Sequence, residues 1–281
     1  MNMALREQIV KYVTMGVTKA TTGDFDTPKK ALDFCSVLSA GLQSMRHKQD
    51  PILSGMKVTE FLLEEEHPFK AFAPDMFHEL RMLEGISDAA FVKALQSTEK
   101  EQLSEGASGA FMFFCGGMDY IVKTIKPGEA MVLHRSLRKY LDYLKNNPNS
   151  LLVRFLGSYS LGVYAQTFHF VVMRNIFEPG VDVHERFDIK GSWVNRGAHL
   201  PPPNKRVVCR HCNEMFIPSA EEKCSKIVGL HEANVVLKDN DLRTKISLHP
   251  RDASEVLEVI NSDSDLLAEL GVMDYRCCFA L

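Results

Sequence analysis

Residues 106–125 read Gly106-Ala107-Ser108-Gly109-Ala110-Phe111-Met112-Phe113-Phe114-Cys115-Gly116-Gly117-Met118-Asp119-Tyr120-Ile121-Val122-Lys123-Thr124-Ile125. Two short apolar or aromatic runs, 110–115 and 118–125, flank the pair Gly116-Gly117, which is the pattern of a β-hairpin. Pro127 then opens a helical register. Leu133, Leu137, Tyr140, Leu141 and Leu144 fall on one face of it, and Asn146-Asn147-Pro148 stops it. Two more strands follow at 153–164 and 167–177, rich in Phe, Val and Tyr. Strand, strand, helix, strand, strand predicts an α+β lobe on an antiparallel sheet.

Working outward, residues 1–100 read as helical. Leu5, Ile9, Tyr12 and Val13 recur at helical spacing, as do Ala31, Phe34, Cys35, Leu38 and Leu42 after Thr27-Pro28. The stretch 44–70 is polar and broken by Pro51 and Pro68, so it reads as loop with one short element. Met76, Leu80 and Leu83 make a helix, and Ser87 reads as the N-cap of a short helix at 88–95. On the other side, residues 197–233 carry Pro201-Pro202-Pro203 and a cysteine cluster and read as an insertion. Segments 234–237 and 242–248 read as strands, and 254–270 as a helix with Val256, Ile260, Leu267 and Leu270 on one face.

A chain of 281 residues holds one large or two small domains. Its 33 basic and 36 acidic side chains nearly cancel, to a net charge of −3. That excludes a globally basic nucleic-acid binder, so no nucleic-acid partner is expected. No apolar run approaches the roughly 18 residues of a membrane span, and no apolar signal region follows the first residues. Seven cysteines, an odd and modest number, suit a reducing compartment. The expectation is a cytoplasmic chain.

Three places could carry chemistry. Gly106-Ala107-Ser108-Gly109 is a turn whose backbone N–H groups can approach phosphate, with Lys123 on a nearby strand to reach the same phosphates as a point charge. The plainer reading has Lys123 facing solvent from an amphipathic strand. In Arg186-Phe187-Asp188-Ile189-Lys190-Gly191-Ser192, Asp188 and Lys190 share one side of an extended segment before a Gly-Ser that can bind phosphate. An exposed ion pair leading into a turn is the alternative. Asp274, in Gly271-Val272-Met273-Asp274-Tyr275, follows an amphipathic helix and is a general base or a turn residue. Glycine turn, hairpin, lysine and helix together have the layout of a kinase N-lobe, without the protein-kinase G-x-G-x-x-G-x-V pattern.

Taken together, these runs resemble the phosphatidylinositol phosphate kinases. The resemblance passes through the glycine turn, Ile121-Val122-Lys123-Thr124 and Asn147-Pro148-Asn149-Ser150-Leu151-Leu152. It continues through Phe155-Leu156-Gly157-Ser158-Tyr159, Phe170-Val171-Val172-Met173-Arg174-Asn175, Phe187-Asp188-Ile189-Lys190-Gly191-Ser192, Leu237-Lys238-Asp239-Asn240-Asp241 and Val272-Met273-Asp274-Tyr275. It implies a kinase-like lobe of antiparallel sheet and helices, a truncated C-lobe and a helical N-terminal extension at 1–60. The domain would cover 61–275, interrupted by the insertion at 197–233, and 276–281 would be a tail. The implied activity is transfer of the γ-phosphoryl of ATP, with Mg2+, to an inositol-ring hydroxyl of a phosphoinositide at the cytosolic face of a membrane.

By the same resemblance, Gly106, Ser108 and Gly109 would cover the phosphates and Lys123 would be the ATP-binding lysine, with Glu129 as its candidate partner. Val172 and Met173 would line the adenine pocket, Asp188 and Lys190 would lie near the phosphates, and Asp274 would orient or deprotonate the lipid hydroxyl. The family continues beyond Tyr275 with an apolar strand, a Mg2+-binding aspartate and an activation loop, where this chain reads RCCFAL. The expectation is therefore very low turnover. The alternative is a non-catalytic module of the same fold that binds nucleotide, lipid or a partner protein, or a homodimer formed through the N-terminal helices and a sheet edge.

The insertion adds one pattern of its own. Cys209-x2-Cys212-x11-Cys224-x6-His231 supplies four soft or borderline ligands in a segment with little apolar content, which suits a tetrahedral structural Zn2+. His211 is the alternative fourth ligand.

Overall fold

The computed structural model describes residues 3–24, 56–64, 66–103, 110–177, 183, 185–243, 247–272 and 277–280. They fall into two compact units, Met1–Pro179 and Gly180–Leu281.

The first unit contains, in chain order, α1 (Met3–Thr22), β1 (Val58–Leu63), β2 (His67–Phe72), α2 (Pro74–Leu83), α3 (Asp88–Gln96) and β3 (Thr98–Leu103). Then come β4 (Phe111–Cys115), β5 (Tyr120–Ile125), α4 (Pro127–Asn146), β6 (Phe155–Val163) and β7 (Gln166–Arg174). All seven strands form one antiparallel sheet in the order β1-β2-β6-β7-β5-β4-β3. The β4–β5 hairpin turns on Gly116 and Gly117, at φ +64° and +69°, where a side chain would be strained. Ser87 caps α3 as read, its Oγ accepting the Ala90 N–H at 3.2 Å.

Helices α1 and α3 cover one face of the sheet. Ile9, Tyr12, Val13 and Val17 pack there with Phe69, Phe91, Phe113, Val122, Phe170 and Val172. Close approach of α1 depends on Gly16, because a Cβ there would lie 2.2 Å from the Phe69 ring. Phe69 is itself held among Phe61, Tyr159 and Phe170. On the opposite face α2 and α4 pack through Phe77, Leu80, Leu137, Leu141 and Leu144. His134 of α4 makes a 2.8 Å hydrogen bond to Ser158 of β6. The loop after α4 is gathered by Arg154, which donates to the carbonyls of Ser150 and Leu152 and, through Nε, to Glu84 at 2.8 Å.

In the second unit β8 (Arg186–Ile189) is central to a three-stranded sheet, parallel to β11 (Val236–Lys238) and antiparallel to β12 (Cys277–Ala280). Between β8 and β11 lies a separate small hairpin of β9 (Val207–Val208) and β10 (Met215–Phe216). A 3-10 turn, Asp239–Asp241, follows β11, and α5 spans Pro250–Glu269.

Several expectations change. The stretch 44–70, read as mostly loop, contains β1 and the start of β2, and the first hundred residues mix helix with strand. Pro68 misled that reading; it sits at the hairpin end of β2, ahead of the Phe69–Ala71 stretch that pairs with β6. The strand read at 242–248 is absent among its described residues, and the helix after it begins earlier, at Pro250. Residues 277–280, expected in a tail, pair with β8. The helix read around Phe34 and Leu38 lies outside the described residues.

Two stability predictions arise here. Gly16→Ala gains up to about 1 kcal/mol of helix propensity but overpacks a site where insertion costs about 1–3 kcal/mol. Denaturant unfolding is expected to show a net loss of about 1–2 kcal/mol; a neutral or stabilising result would mean the ring has room. The second concerns His134, packed at a tilt against Phe72 with ring centroids 4.5 Å apart. Burial, then the nearby His169, pushes its imidazole down to about 4. Between about pH 6.5 and 4 the unfolded chain takes up a proton that the folded chain refuses, so stability falls as pH drops through that window. The loss is about 2–3 kcal/mol, read as unfolding free energy against pH, and His134→Gln is expected to flatten most of it.

Candidate functional site

Strand β5 is flanked by β4 and β7, and side chains directly opposite one another across antiparallel strands share a face. Val122 lies opposite Phe113 and Val172, and all three are buried in the core beneath α1 and α3. Lys123 therefore takes the other face. It lies opposite Met112 and Val171, and Val171 lies opposite Ser158, which His134 of α4 contacts. Lys123 thus shares its face with the helix that follows it. Among the described residues it makes no ion pair. Glu129, the candidate partner, is used elsewhere: its Oε2 accepts the Lys126 backbone N–H at 2.7 Å, closing the N-terminus of α4.

Of the two residues expected at an adenine pocket, Met173 lies two along from Val171 on the Lys123 face, while the side chain of Val172 is turned into the core. Gly106, Ser108 and Gly109 lie outside the described residues. The paired strands β3 and β4 flank them, and Thr124 beside Lys123 fixes the start of β4 by accepting the Phe111 N–H at 2.9 Å.

In the second unit, Asp188 and Lys190 stand at the end of β8, and Asp188 is buried. The loop after them is organised by Asp239, Asn240, Asp241 and Arg196. Asp239 Oδ1 accepts the N–H groups of Lys190 at 2.9 Å and Gly191 at 2.8 Å, and its Oδ2 accepts Arg196 Nε at 2.6 Å. Arg196 Nη2 reaches Asp188, at its carbonyl and at Oδ1. Asn240 holds the Trp193 carbonyl, and Asp241 accepts the N–H groups of Ala198 and Lys238. Burial pushes the Asp239 carboxyl up, but the Arg196 guanidinium and the Lys190 and Gly191 N–H groups outweigh it and hold it well below the usual carboxylate range. The signal for these residues was the acidic run 239–241 itself; its partner Arg196 is 43 positions away and follows no period. Asp274 lies outside the described residues.

Cys209, Cys212, Cys224 and His231 converge, their donor atoms all within 4.8 Å of one another. His211 does not join them and instead faces Glu232, at 3.2 Å. Within the first unit, a cavity of about 190 Å³ lies among α1, β2 and α2, lined by Thr21, Phe72, His78, Arg81 and Asp88; none of the expected site residues borders it.

Comparison with known proteins gives a family. The family model described as phosphatidylinositol-4-phosphate 5-kinase matches residues 94–281. The chain is 35% identical over 218 residues to a probable phosphatidylinositol phosphate kinase of Dictyostelium discoideum, covering 74% of this chain and 27% of that one. It is 31% identical over 235 residues to a phosphatidylinositol 4-phosphate 5-kinase of Schizosaccharomyces pombe, covering 82% and 28%. It is 29% identical over 253 residues to the phosphatidylinositol 5-phosphate 4-kinase type-2 alpha of Homo sapiens, covering 83% and 56%. The chain thus spans about a quarter of the first two relatives and about half of the third. With the matched region running from the end of α3 through β3 to β7, the lysine strand among them, and on through the β8 loop, the chain belongs to the phosphatidylinositol phosphate kinase family.

Proposed function

We propose that the chain carries ATP-binding and phosphoryl-positioning parts of a phosphoinositide kinase, which moves the γ-phosphoryl of ATP to an inositol-ring hydroxyl. The observation that carries this reading is the position of Lys123, a cation on a central strand, on the face crossed by α4, two strands from β3. Phosphoryl transfer asks little covalent chemistry of a protein; it asks for positioning and neutralisation of spread negative charge. Lys123 supplies a point charge, and the backbone of 106–109, between β3 and β4, supplies N–H donors. In the second unit Asp188 and Lys190 act on the phosphates, with the loop between them and Arg196 preset by Asp239, and Asp274 orients or deprotonates the accepting hydroxyl.

Mg2+ takes few protein carboxylates and keeps waters and substrate phosphates as its other ligands. Asp239 does not fit that role, because both of its oxygens are occupied by donors. Asp188, at the end of β8 beside Lys190, is the carboxylate that the resemblance puts near the phosphates and so the one proposed to face the ion. Arriving with the nucleotide, Mg2+ would neutralise charge on the transferring phosphoryl.

Membrane contact in this reading is peripheral. Among the described residues no helix is long and apolar enough to cross a membrane. Arg135, Arg138 and Lys139 are exposed on α4, and each basic residue near an anionic surface is worth about 1 kcal/mol. Trp193 and Val194, 74% and 77% exposed, follow Lys190 closely, a pairing of apolar and cationic side chains suited to a headgroup layer.

Equilibrium titration with ATP is the first test. Binding is expected to weaken at least tenfold in Lys123→Ala, and equal affinities would remove Lys123 from the site. Transfer is tested with γ-labelled ATP and vesicles of mixed phosphoinositides. Label in inositol lipid that Lys123→Ala abolishes supports the reading; nucleotide binding with no label in lipid would replace it with the non-catalytic binding module.

A further inference from the structure

We propose that residues 207–233 are a zinc-binding module in which Cys209, Cys212, Cys224 and His231 hold one Zn2+ through three thiolates and His231 Nδ1, and that this metal closes the connection between β8 and β11. Zinc with bonds of about 2.3 Å to sulfur and about 2.0 Å to nitrogen sets tetrahedral donors roughly 3.5–3.8 Å apart. Cys209 and Cys224 hold their sulfurs 3.9 Å apart, and Cys212 Sγ lies 3.4 Å from His231 Nδ1. These are the spacings of a shared central ion.

The surroundings are arranged for such a site. The β9–β10 hairpin carries Cys209 and Cys212 at its turn, closed by Cys209 N–H to the Glu214 carbonyl at 2.8 Å and Asn213 N–H to the Cys209 carbonyl at 3.1 Å. Asn213, directly after Cys212, takes φ +61°, a left-handed conformation asparagine tolerates and the tight turn needs. A second turn presents Cys224, whose N–H reaches the Gly229 carbonyl at 3.0 Å. Each turn aims one backbone N–H at a sulfur: His211 to Cys209 and Lys226 to Cys224, both at 3.4 Å. Donors directed at sulfur favour the thiolate that binds metal. The His231 ring is fixed by stacking on Phe216, centroids 5.1 Å apart, so its Nδ1 is pre-aimed.

The module also lacks another way to fold. Its buried apolar side chains are Cys209, Phe216 and Cys224, so two of the three are ligands. Segments this short normally need a metal or a disulfide to hold a fold. Its base is stitched to the flanking strands. Cys209 bridges Ala233, the Asn234 N–H reaches the Val208 carbonyl at 2.9 Å, Arg186 donates to Asn234 at 2.7 Å, and Arg210 pairs with Glu185 at 3.0 Å. Parallel strands need a long crossover connection, and here the metal module is part of that crossover. On binding, each thiol gives its proton to solvent as its sulfur joins the ion.

The test uses the full chain. Elemental analysis after exposure to Zn2+ and gel filtration is expected to give about one zinc per chain, falling to near zero in Cys209→Ser/Cys212→Ser. Because that variant can misfold, Co2+ is used on the unaltered chain as well. The expected result is the visible bands of tetrahedral cobalt with thiolate-to-cobalt charge transfer, altered in His231→Ala and unchanged in His211→Ala. Chelation is expected to open trypsin cleavage at Lys205, Arg206, Lys223 and Lys226. Failure to bind stoichiometric metal, an octahedral cobalt spectrum, equal loss from the His211 and His231 variants, or recovery of Cys209 and Cys224 as a disulfide would each overturn the proposal. None of these readouts depends on kinase activity.

Discussion

A β-strand sends consecutive side chains to opposite faces, and in β5 this places Val122 and Lys123 back to back. Val122 belongs among Phe113, Phe170 and Val172, and a lysine ammonium there would be desolvated with no counter-charge. A slip of one residue against β4 or β7 would make that exchange, so a single charged side chain helps fix the register of the central strands. The same constraint assigns the helices. The face with the aromatic core is sealed by α1, brought close by Gly16, and by α3, and the face with Lys123 receives α4. Core packing and placement of the Lys123 ammonium are one decision made at one dipeptide.

The second unit solves a different problem with a carboxylate. Buried ion pairs cost more in desolvation than they return unless their remaining hydrogen-bonding capacity is filled. Asp239 meets that condition: one oxygen takes two backbone N–H groups and the other takes the guanidinium. The guanidinium is shared with Asp188. The outcome is a loop between Lys190 and Arg196 whose backbone direction is set before any ligand arrives. In the proposed reading, such preset dipoles need no reorganisation when charge develops.

Legibility in the sequence followed the range of the interaction. The β4–β5 hairpin, the α3 cap at Ser87, the α4 stripe and the β6–β7 pair were readable because each is written in a few consecutive residues. Strands β1 and β2 were obscured by prolines and by glutamates beside the turn. Strand β3, Thr-Glu-Lys-Glu-Gln-Leu, has no apolar alternation to read. Among candidate site residues, Lys123 stood out as a cation inside an apolar strand. The difference between Val172 and Met173 required the register, since either could face the core. Glu129 was plausible as an ion-pair partner by position alone, but a glutamate three residues into a helix has a nearer use in capping. Arg196 and Asp239 meet only through the crossover, and no local pattern announces such a pair.

That crossover also shows why cysteine spacing was informative where propensity was not. Burying a large apolar side chain contributes about 1.5–3 kcal/mol, and residues 207–233 bury only Phe216 besides two cysteines. Structural zinc in comparable small folds contributes about 10–16 kcal/mol. Between those magnitudes, a segment that buries so little can be ordered by metal while remaining unreadable as helix or strand. Its ligands are then its secondary-structure signal: the C-x2-C pair marks a hairpin turn, here β9 to β10, and Cys224 marks a second turn. His231 becomes distinguishable from His211 only when Phe216 is seen to hold one ring toward the sulfurs and Glu232 to hold the other away.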